Sequence, residues 1–311
     1  MRYIKKAEKQ ADKKIQVIVM GDFSQLPPVI TSNDSEVLQE IWKDVIPDIG
    51  LGFAFLAPEW KKMHFKNVYL EESIRQTDEE FINALTKVKK GLKTSLKYFN
   101  TKAKRYNNDD SINAVYLCPT NRMASNINNY RISKIKNPKV KYVGVTTGSV
   151  STSEKITDEI LELAVGARVM SLVNDAEFDY QNGSLGTIKS LNSDSVTVEF
   201  DNGKRKTICN YTWEICKYYV DEDGTLQKDI IGTFTQIPLK IAYAITIHKA
   251  QGQTYDSIIL NPSCFTHGQL YVALSRVKTI DKLYLVMDIQ DKALITDPMV
   301  KKKERTFKKK K

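Results

Sequence analysis

IAYAITIHKAQGQT, residues 241–254, runs from an apolar, β-prone segment directly into a polar loop that contains Gly252. Farther along, GQLYVALSR (residues 268–276) has the pattern of a short helix with one arginine, Arg276, near its end. A glycine-containing loop lets the backbone approach a phosphate closely, and a guanidinium can bind phosphate oxygens through two parallel bonds. Together the two segments are typical of a phosphate site at a boundary between two domains.

Strand-like segments followed by loops and helices recur along the chain. The segment IQVIVM (residues 15–20) has the composition of a buried strand, and the loop GDFSQLPP (residues 21–28) ends it. Residues 114–118 predict another strand, which is followed by Pro119 and by a helix that Thr120 can cap. Residues 241–247, 258–260 and 283–286 continue the pattern. Strand, loop and helix in this order predict α/β domains with parallel sheets.

Residues 183–238 differ in character from the segments on either side. SVTVEF (residues 195–200) alternates with period two, and the turn signals NSD (residues 192–194) and DNG (residues 201–203) separate it from neighbouring β-prone runs. The pattern predicts a small antiparallel meander, inserted in the second α/β domain as an SH3-like β-barrel.

Bulk composition limits the classes of protein that remain. The 311 residues suffice for two or three domains, and the four cysteines form no Cys-x-x-Cys pair, which makes a zinc site or a disulfide framework unlikely on spacing grounds. The net charge is +10, of which residues 301–311 carry +7. We predict a basic, disordered tail over residues 295–311, which either binds a polyanion or serves only as a solvated end.

Seven motifs, taken in order, resemble those of superfamily 1 DNA helicases of the RecD/Pif type, including their UvrD-like C-terminal helicase domain. They occupy residues 21–29, 75–76, 119–121, 165–170, 182–186, 248–254 and 271–277. The resemblance implies tandem RecA-like domains of the P-loop NTPase superfamily. It also implies ATP-dependent 5′-to-3′ translocation on single-stranded DNA, coupled to duplex unwinding, with ATP and Mg²⁺ as cofactors.

The resemblance assigns roles to particular residues. It implies that Gln25, Arg75 and Arg276 are catalytic and that Gly252 and Gln253 approach the nucleotide. The residues implied to contact DNA are Thr120, Asn121, Thr246, His248 and Lys249. An amide can sense a phosphate by donating to it and accepting from water, and guanidinium groups stabilise the charge of a transferred phosphoryl group. No metal ligand is predicted.

Structural alternatives stand beside several of these roles. Arg75 could instead form a salt bridge, Thr120 could simply cap its helix, and His248 could be a hydrogen-bonded structural residue. Phe23 and Tyr271 could stack on bases or pack in the core. The functional interpretation expects Gln25 and Arg276 to face each other across one triphosphate pocket.

The chain departs from the family pattern before residue 15. Neither a Gly-x-x-x-x-Gly-Lys-Ser/Thr loop nor the Asp-Glu pair that holds Mg²⁺ occurs there, and ATP and Mg²⁺ are expected to need that Walker A and Walker B segment. We therefore expect an incomplete first RecA-like domain over residues 1–100, a second one over 101–182 and 239–290, and the insert over 183–238. We also expect negligible ATPase activity from the chain alone.

Three explanations remain open at this point: a truncated gene product, one half of a split helicase, or a non-hydrolysing single-stranded DNA-binding module. A strand-exchange or repair scaffold is a further alternative, although it would not need the motif series. The expected partners are single-stranded DNA and, in the split case, a separate chain with the Walker motifs. Without a membrane span or a signal peptide, we expect a cytoplasmic, nucleoid-associated, nuclear or viral-factory location rather than secretion.

Overall fold

The computed structural model describes residues 2–30, 35, 36, 38, 52–70, 72–109, 111–220 and 226–308. The chain divides into two compact units, a first unit of residues 1–72 with 296–311 and a second unit of residues 73–295. The boundary predicted near residue 100 therefore lies inside the second unit, because the helices after residue 78 belong to that unit.

The described residues form seven α-helices and fifteen strands. The helices are α1 (Arg2–Ala11), α2 (Pro58–Lys62), α3 (Glu79–Lys89), α4 (Thr94–Lys102), α5 (Asn121–Ser133), α6 (Gln269–Leu274) and α7 (Pro298–Lys308). The strands are β1 (Lys104–Arg105), β2 (Val115–Cys118), β3 (Lys139–Val143), β4 (Val145–Gly148), β5 (Ile160–Ala164), β6 (Arg168–Ser171), β7 (Leu185–Leu191), β8 (Ser195–Phe200), β9 (Arg205–Cys209), β10 (Tyr211–Val220), β11 (Leu226–Gln236), β12 (Leu239–Ile241), β13 (Ala244–Thr246), β14 (Ile258–Leu260) and β15 (Leu283–Leu285).

A parallel sheet forms the centre of the second unit. Its strand order is β1-β15-β14-β2-β13, and every neighbouring pair is parallel. The strands predicted near residues 114–118, 241–247, 258–260 and 283–286 all lie in it, which confirms the predicted α/β class. Because the carboxyl ends of parallel strands meet at one edge, the segments after β2, β13 and β14 lie together.

The antiparallel part of the second unit is larger than predicted. The meander β7-β8-β9 is present with both expected turns, in a sheet of order β12-β6-β7-β8-β9. However, β6 and β12 come from outside residues 183–238, and β3 and β4 also pair with antiparallel partners. Residues 139–171, which the sequence places in the second RecA-like domain, thus contribute β3, β4, β5 and β6 to antiparallel pairs. An SH3-like barrel stays a prediction.

Two helices of the second unit are fixed by specific polar contacts. Asp78 caps α3 by accepting a 2.7 Å bond from the Phe81 N–H, and Gly91 follows the helix with φ +70°, as its predicted stop requires. In α5, Asn128 is buried, but its amide donates to the Ala244 carbonyl and accepts from the Ala244 N–H, each at 2.8 Å. This satisfied pairing holds α5 against β13.

The first unit has a small aromatic core. Phe53, Phe55 and Val300 are its buried members, and Phe23 and Trp60 pack against them. Val300 belongs to α7, so the predicted disordered tail is wrong for residues 298–308. The reason is an apolar residue in an otherwise basic segment: burying Val300 gives the helix a fixed contact that net charge alone does not reveal.

The predicted buried strand over residues 15–20 is also wrong. The segment has no regular secondary structure, and Ile18 and Met20 are 72% and 89% exposed. A strand needs a neighbour for its backbone hydrogen bonds, and the described residues of the first unit contain no other strand. The apolar pattern was present in the sequence, but its burial depended on a partner.

Among the described residues, no helix combines the length and apolar character needed to cross a bilayer. All four cysteines are free thiols in the structure. Burial raises the pKa of Cys118 to about 12, which keeps that thiol protonated and inert.

Candidate functional site

Arg276 lies directly after α6 and is only 1% exposed. Its Nε donates to the Val272 carbonyl at 2.7 Å, its Nη1 donates to the Gln253 carbonyl at 2.9 Å, and its Nη2 donates to Ser275 Oγ at 2.6 Å. Burial, followed by the charge of Arg75, lowers the pKa of Arg276 to about 10. The guanidinium is therefore still a cation at neutral pH, held in a cage of oxygen acceptors.

Arg75 and Gln76 bind the backbone on either side of Arg276. Arg75 Nη1 donates to the Ser275 carbonyl at 3.1 Å, and the Gln76 amide donates to the carbonyls of Ser275 at 3.2 Å and Val277 at 2.9 Å. Within the described residues, neither guanidinium forms a salt bridge with a carboxylate. Arg75 thus bonds the carbonyl of the residue directly before Arg276, and it is close enough for its charge to lower the pKa of Arg276.

The loop after β13 connects to this site. Gly252 has φ +83°, a left-handed conformation that favours glycine, and a side chain there would meet no atom within 4 Å. The Gln253 carbonyl accepts from Arg276, and its side-chain amide donates to the Asn182 carbonyl at 3.2 Å. The loop of residues 248–254 therefore contacts both Arg276 and the motif at residues 182–186.

The predicted DNA-binding residues at the end of β13 and in the loop after it differ in burial. Thr246 is 8% exposed, and its hydroxyl accepts a 3.3 Å bond from the Lys249 N–H, so its side chain supports the turn. Lys249 is exposed. Burial lowers the pKa of the half-buried His248 below its usual value, which favours a neutral ring at pH 7.

A second predicted DNA-binding segment lies at the same edge of the sheet. Thr120 caps α5 by accepting from the Met123 N–H at 3.3 Å, and Asn121 is the exposed first residue of that helix. The capping alternative for Thr120 is therefore correct, and it leaves the helix N-terminus available to a phosphate. The Ile247 N–H donates to the Cys118 carbonyl at 2.9 Å, which places the loop after β13 beside the loop after β2.

The sequence reasoning missed one residue at this edge, Phe265. It lies in the loop after β14 and is 58% exposed. Its N–H donates to Gln269 Oε1 at 2.9 Å, and the Gln269 amide donates to the Pro119 carbonyl at 3.2 Å. The backbone of Phe265 is thus linked through Gln269 to the residue before Thr120, and an exposed aromatic ring can stack on a base. The signal was an aromatic residue in the loop that follows the predicted strand at residues 258–260.

Gln25 lies in the first unit, in the loop of residues 21–28. Its N–H donates to the Asp22 carbonyl at 3.1 Å, and the Ser24 N–H donates to Asp22 Oδ1 at 3.0 Å. The aromatic ring of Phe23 packs against Phe55 and Trp60, at centroid distances of 4.9 and 5.7 Å. These contacts favour core packing over base stacking for Phe23, while the position of Gln25 relative to Arg276 stays a prediction.

The described residues contain one cluster of carboxylates with the spacing of a metal site, Asp175, Glu177 and Asp179, whose oxygens lie within 4.8 Å of one another. Lys206 occupies it: its Nζ lies 2.7 Å from Asp179 Oδ2 and also bonds Glu177. These bonds raise the pKa of Lys206, and its ammonium group offsets part of the negative charge of the three carboxylates.

A cavity of about 620 Å³ opens elsewhere in the second unit, beside the residues that precede β2 and β14. Ala114 and Ser257 line it at the amino edge of the parallel sheet, and Gln253 lines it from the nearby loop. The cavity is thus separate from Thr120 and His248, which follow the carboxyl ends of their strands.

Comparison with known proteins adds an independent line of evidence. No protein-family model matches the chain. A crystal structure of Pif1 helicase from Bacteroides in complex with ADP-AlF3 and ssDNA is similar to it with a TM-score of 0.79 and 32% sequence identity, covering 99% of this chain and 72% of that one. The chain belongs to the Pif1 helicase family. Its fold class is therefore that of Pif1 structures, with tandem RecA-like domains.

Curated relatives of this Pif1-family chain agree. ATP-dependent DNA helicase Pif1 from Bdellovibrio bacteriovorus is 30% identical, over 92% of this chain and 61% of that protein. The homologue with the same name from Campylobacter jejuni is 29% identical, over 84% of this chain and 60% of that protein. The chain thus spans about three fifths of the length of these relatives.

Proposed function

We propose that this chain supplies the Arg75 and Arg276 side of the nucleotide site, together with a DNA-binding edge, in an ATP-dependent DNA helicase. The observation that carries the proposal is that Arg75 bonds the Ser275 carbonyl, directly before Arg276, and that its charge acts on Arg276. One buried and one half-buried guanidinium group, neither with a carboxylate partner among the described residues, are suited to a polyphosphate anion. The names of the relatives support ATP as that anion.

The chemistry of the site is positioning and charge stabilisation. In phosphoryl transfer, charge spreads over the equatorial oxygens of the transferred group, and fixed cations stabilise it. Arg276 already has neutral acceptors in the carbonyls of Val272 and Gln253, so binding of a phosphate exchanges some of these bonds for bonds to an anionic acceptor. Gln25 is proposed to sense the terminal phosphate, and Gly252 and Gln253 to lie beside the nucleotide.

The carboxyl edge of the parallel sheet is the proposed DNA-binding surface. Lys249 and Asn121 are exposed there, Thr246 ends β13 just before His248 and Lys249, and the exposed Phe265 is linked through Gln269 to the Pro119 carbonyl. Phosphate contacts would come from Lys249 and from the N-terminus of α5, and base contacts from Phe265. Translocation in the 5′-to-3′ direction rests on the family resemblance.

Mg²⁺ is proposed to reach the site with ATP, since none of the proposed site residues of this chain is a carboxylate. Residues 1–311 contain no Walker A loop, so the proposal takes the phosphate loop from outside this segment, and a separate chain with the Walker motifs is one of the proposed partners. We place the protein at sites of DNA metabolism in a reducing compartment. The second candidate function is a non-hydrolysing single-stranded DNA-binding module, which the exposed edge at Lys249 and Phe265 would serve equally well.

The test combines DNA binding with ATP hydrolysis. Binding of fluorescein-labelled oligo(dT) is measured for the chain alone, and ATP turnover is measured with and without a purified phosphate-loop domain from a Pif1 relative. We expect DNA binding in both cases and DNA-stimulated turnover only with the added domain. Arg276→Ala should lower that turnover at least about 100-fold, as for other preorganised charge-stabilising groups, while the exposed control Lys278→Ala changes it little.

Three outcomes separate the alternatives. Binding without turnover in either mixture would favour the DNA-binding module. Turnover that survives Arg276→Ala would contradict the role of that arginine. Failure to bind oligo(dT) at low salt would reject both candidate functions. Polarity is tested separately, by displacement of streptavidin from biotin at the 3′ or the 5′ end of the oligonucleotide.

A further inference from the structure

One face of helix α7 packs against the rest of the first unit, to which the helix itself belongs. Val300, Lys303, Glu304 and Phe307 have the spacing of a single helical face, and all four are buried or half-buried. Lys302, Arg305 and Thr306 lie on the other side and are exposed. The helix therefore has a packed face and a solvated, mainly basic face, although its sequence is dominated by charge.

The packed face contacts the loop that carries Gln25. Ser24 Oγ donates to Glu304 Oε1 at 2.6 Å, and Ser24 itself is only 3% exposed. The ring of Phe307 stacks with that of Phe23, with centroids 6.1 Å apart and planes at 25°. Two consecutive residues, Phe23 and Ser24, are thus held by α7 directly before Gln25 in the chain.

We propose that α7 is a positioning element for the loop of residues 21–28, and that Glu304 is the residue through which it sets the position of Gln25. Glu304 touches neither nucleotide nor DNA in this proposal and acts only through Ser24. The inference rests on the proposed function, because the role of Gln25 does. It adds Glu304, from α7, to the residues that the proposed function depends on.

The local geometry explains why a single bond can matter. Both the Ser24 N–H and the Gln25 N–H donate to Asp22, so residues 22–25 form a tight turn that moves as one piece. The hydroxyl of Ser24 is buried, and removal of its acceptor would leave a donor without a partner, which favours rotation of the turn. Because Glu304 is an acid, the bond is charge-assisted and stronger than one to a neutral acceptor.

The alternative is that α7 contributes only the packing of Val300 to the aromatic core. The two possibilities differ in the role of Glu304, because Val300 packs against Phe53 and Phe55 whichever residue occupies position 304. Glu304→Ala removes the acceptor and keeps that packing, and Glu304→Gln keeps an acceptor oxygen at the same position. Thr306→Ala, on the exposed side of the same helix, is the matched control.

The first readout is the position of the loop, measured without reference to activity. The ring of Trp60 lies 5.7 Å from that of Phe23, so its environment reports movement of residues 22–25. In protein labelled with 5-fluorotryptophan, the ¹⁹F resonance of Trp60, assigned with Trp60→Phe, should shift in Glu304→Ala and in Ser24→Ala. It should stay at the wild-type position in Glu304→Gln and Thr306→Ala.

The second readout is the nucleotide effect on DNA affinity. The ratio of oligo(dT) dissociation constants with and without ADP–aluminium fluoride is measured with the phosphate-loop domain present. Glu304→Ala should reduce that ratio by about tenfold, the equivalent of one charge-assisted hydrogen bond, and Glu304→Gln should restore most of it. Ser24→Ala combined with Glu304→Ala should be no worse than either single change, because both remove the same bond.

The two readouts separate a failure of the positioning role of Glu304 from a failure of the proposed function. An unchanged Trp60 resonance in Glu304→Ala would overturn the positioning role, as would an equal shift in Thr306→Ala or a defect in Glu304→Gln as large as that in Glu304→Ala. If the resonance shifts as expected but the wild-type protein shows no nucleotide effect on DNA affinity, the proposed function fails while the contact between Glu304 and the loop stands.

Discussion

Replacement of Gln76 by leucine tests the architecture around Arg276 most directly. Gln76 is 5% exposed, and its amide nitrogen donates to the carbonyls of Ser275 and Val277. In Gln76→Leu, the Ser275 carbonyl keeps its bond from Arg75, but the Val277 carbonyl loses the side-chain donor described for it. The side chain of leucine is similar in size, so the expected loss comes from hydrogen bonding rather than from a cavity.

The magnitude follows from the two bonds that the amide nitrogen donates, because the third, which Oε1 accepts from Ser73 Oγ, comes from an exposed residue that water can satisfy. A buried acceptor left unsatisfied costs about 1–3 kcal/mol, and a lost bond to a carbonyl that keeps another donor costs about 0.5–1.5 kcal/mol. The extra apolar burial of leucine offsets part of this, so we expect a loss of about 2 kcal/mol in the free energy of unfolding of the second unit. With a denaturant slope of about 2 kcal/mol/M, the urea midpoint should fall by about 1 M.

The assay must report on the second unit alone. Trp213 lies in β10, so fluorescence in a Trp42→Phe, Trp60→Phe background follows that unit. Gln290→Leu is the control, because Gln290 is exposed and its replacement should change the free energy of unfolding by less than about 0.5 kcal/mol. A Gln76→Leu midpoint equal to that of the control would refute the reasoning.

The other predictions concern the carboxyl edge of the sheet. Phe265→Ala should weaken oligo(dT) binding by about 1–3 kcal/mol if its ring stacks on a base, whereas Phe178→Ala, at an 86% exposed ring in the antiparallel region, should leave the anisotropy titration unchanged. Lys249→Ala should reduce the slope of log affinity against log salt by about 0.7, the value for one phosphate contact on single strands; an unchanged slope would remove Lys249 from the interface. Burial lowers the pKa of His248, so the folded state favours the neutral ring, and the free energy of unfolding should fall as the pH drops through about 6.5. His248→Gln should reduce that loss, as measured by urea midpoints between pH 7.5 and 5.5.

Local chemistry explains which elements of the fold the sequence predicted. The strands at β2, β13, β14 and β15 are short apolar runs bounded by polar loops, and each is recognisable without its neighbours. Asp78, Thr120 and Gly91 act on residues three or four positions away, so the helix ends they set were also predictable. The pairing of Arg75 with Arg276 was anticipated only through the order of the motifs, since nothing local joins positions 200 residues apart.

The errors have a common cause. Residues 15–20 have the composition of a buried strand, yet they are exposed because a strand is stable only beside a partner. Residues 298–308 have the composition of a solvated tail, yet they form a helix because Val300 and Phe307 find an aromatic core built from Phe23 and Phe55. The helix at residues 298–308 depends on a contact with a distant part of the chain. The segment at residues 15–20 lacks such a contact among the described residues, so local composition predicted neither structure correctly.

The sequence by itself determined the α/β class, the positions of the parallel strands and the chemical type of the residues proposed to bind phosphate. Only the tertiary structure decided that Gln76 bonds the backbone around Arg276, that Phe265 is linked through Gln269 to Pro119 and that Glu304 accepts a bond from Ser24. The hydrophobic period and helix capping depend on residues only a few positions apart, so both can be recognised in the sequence. Hydrogen bonds between residues that lie 200 or 280 positions apart exist only after the sheet and the core have brought them together.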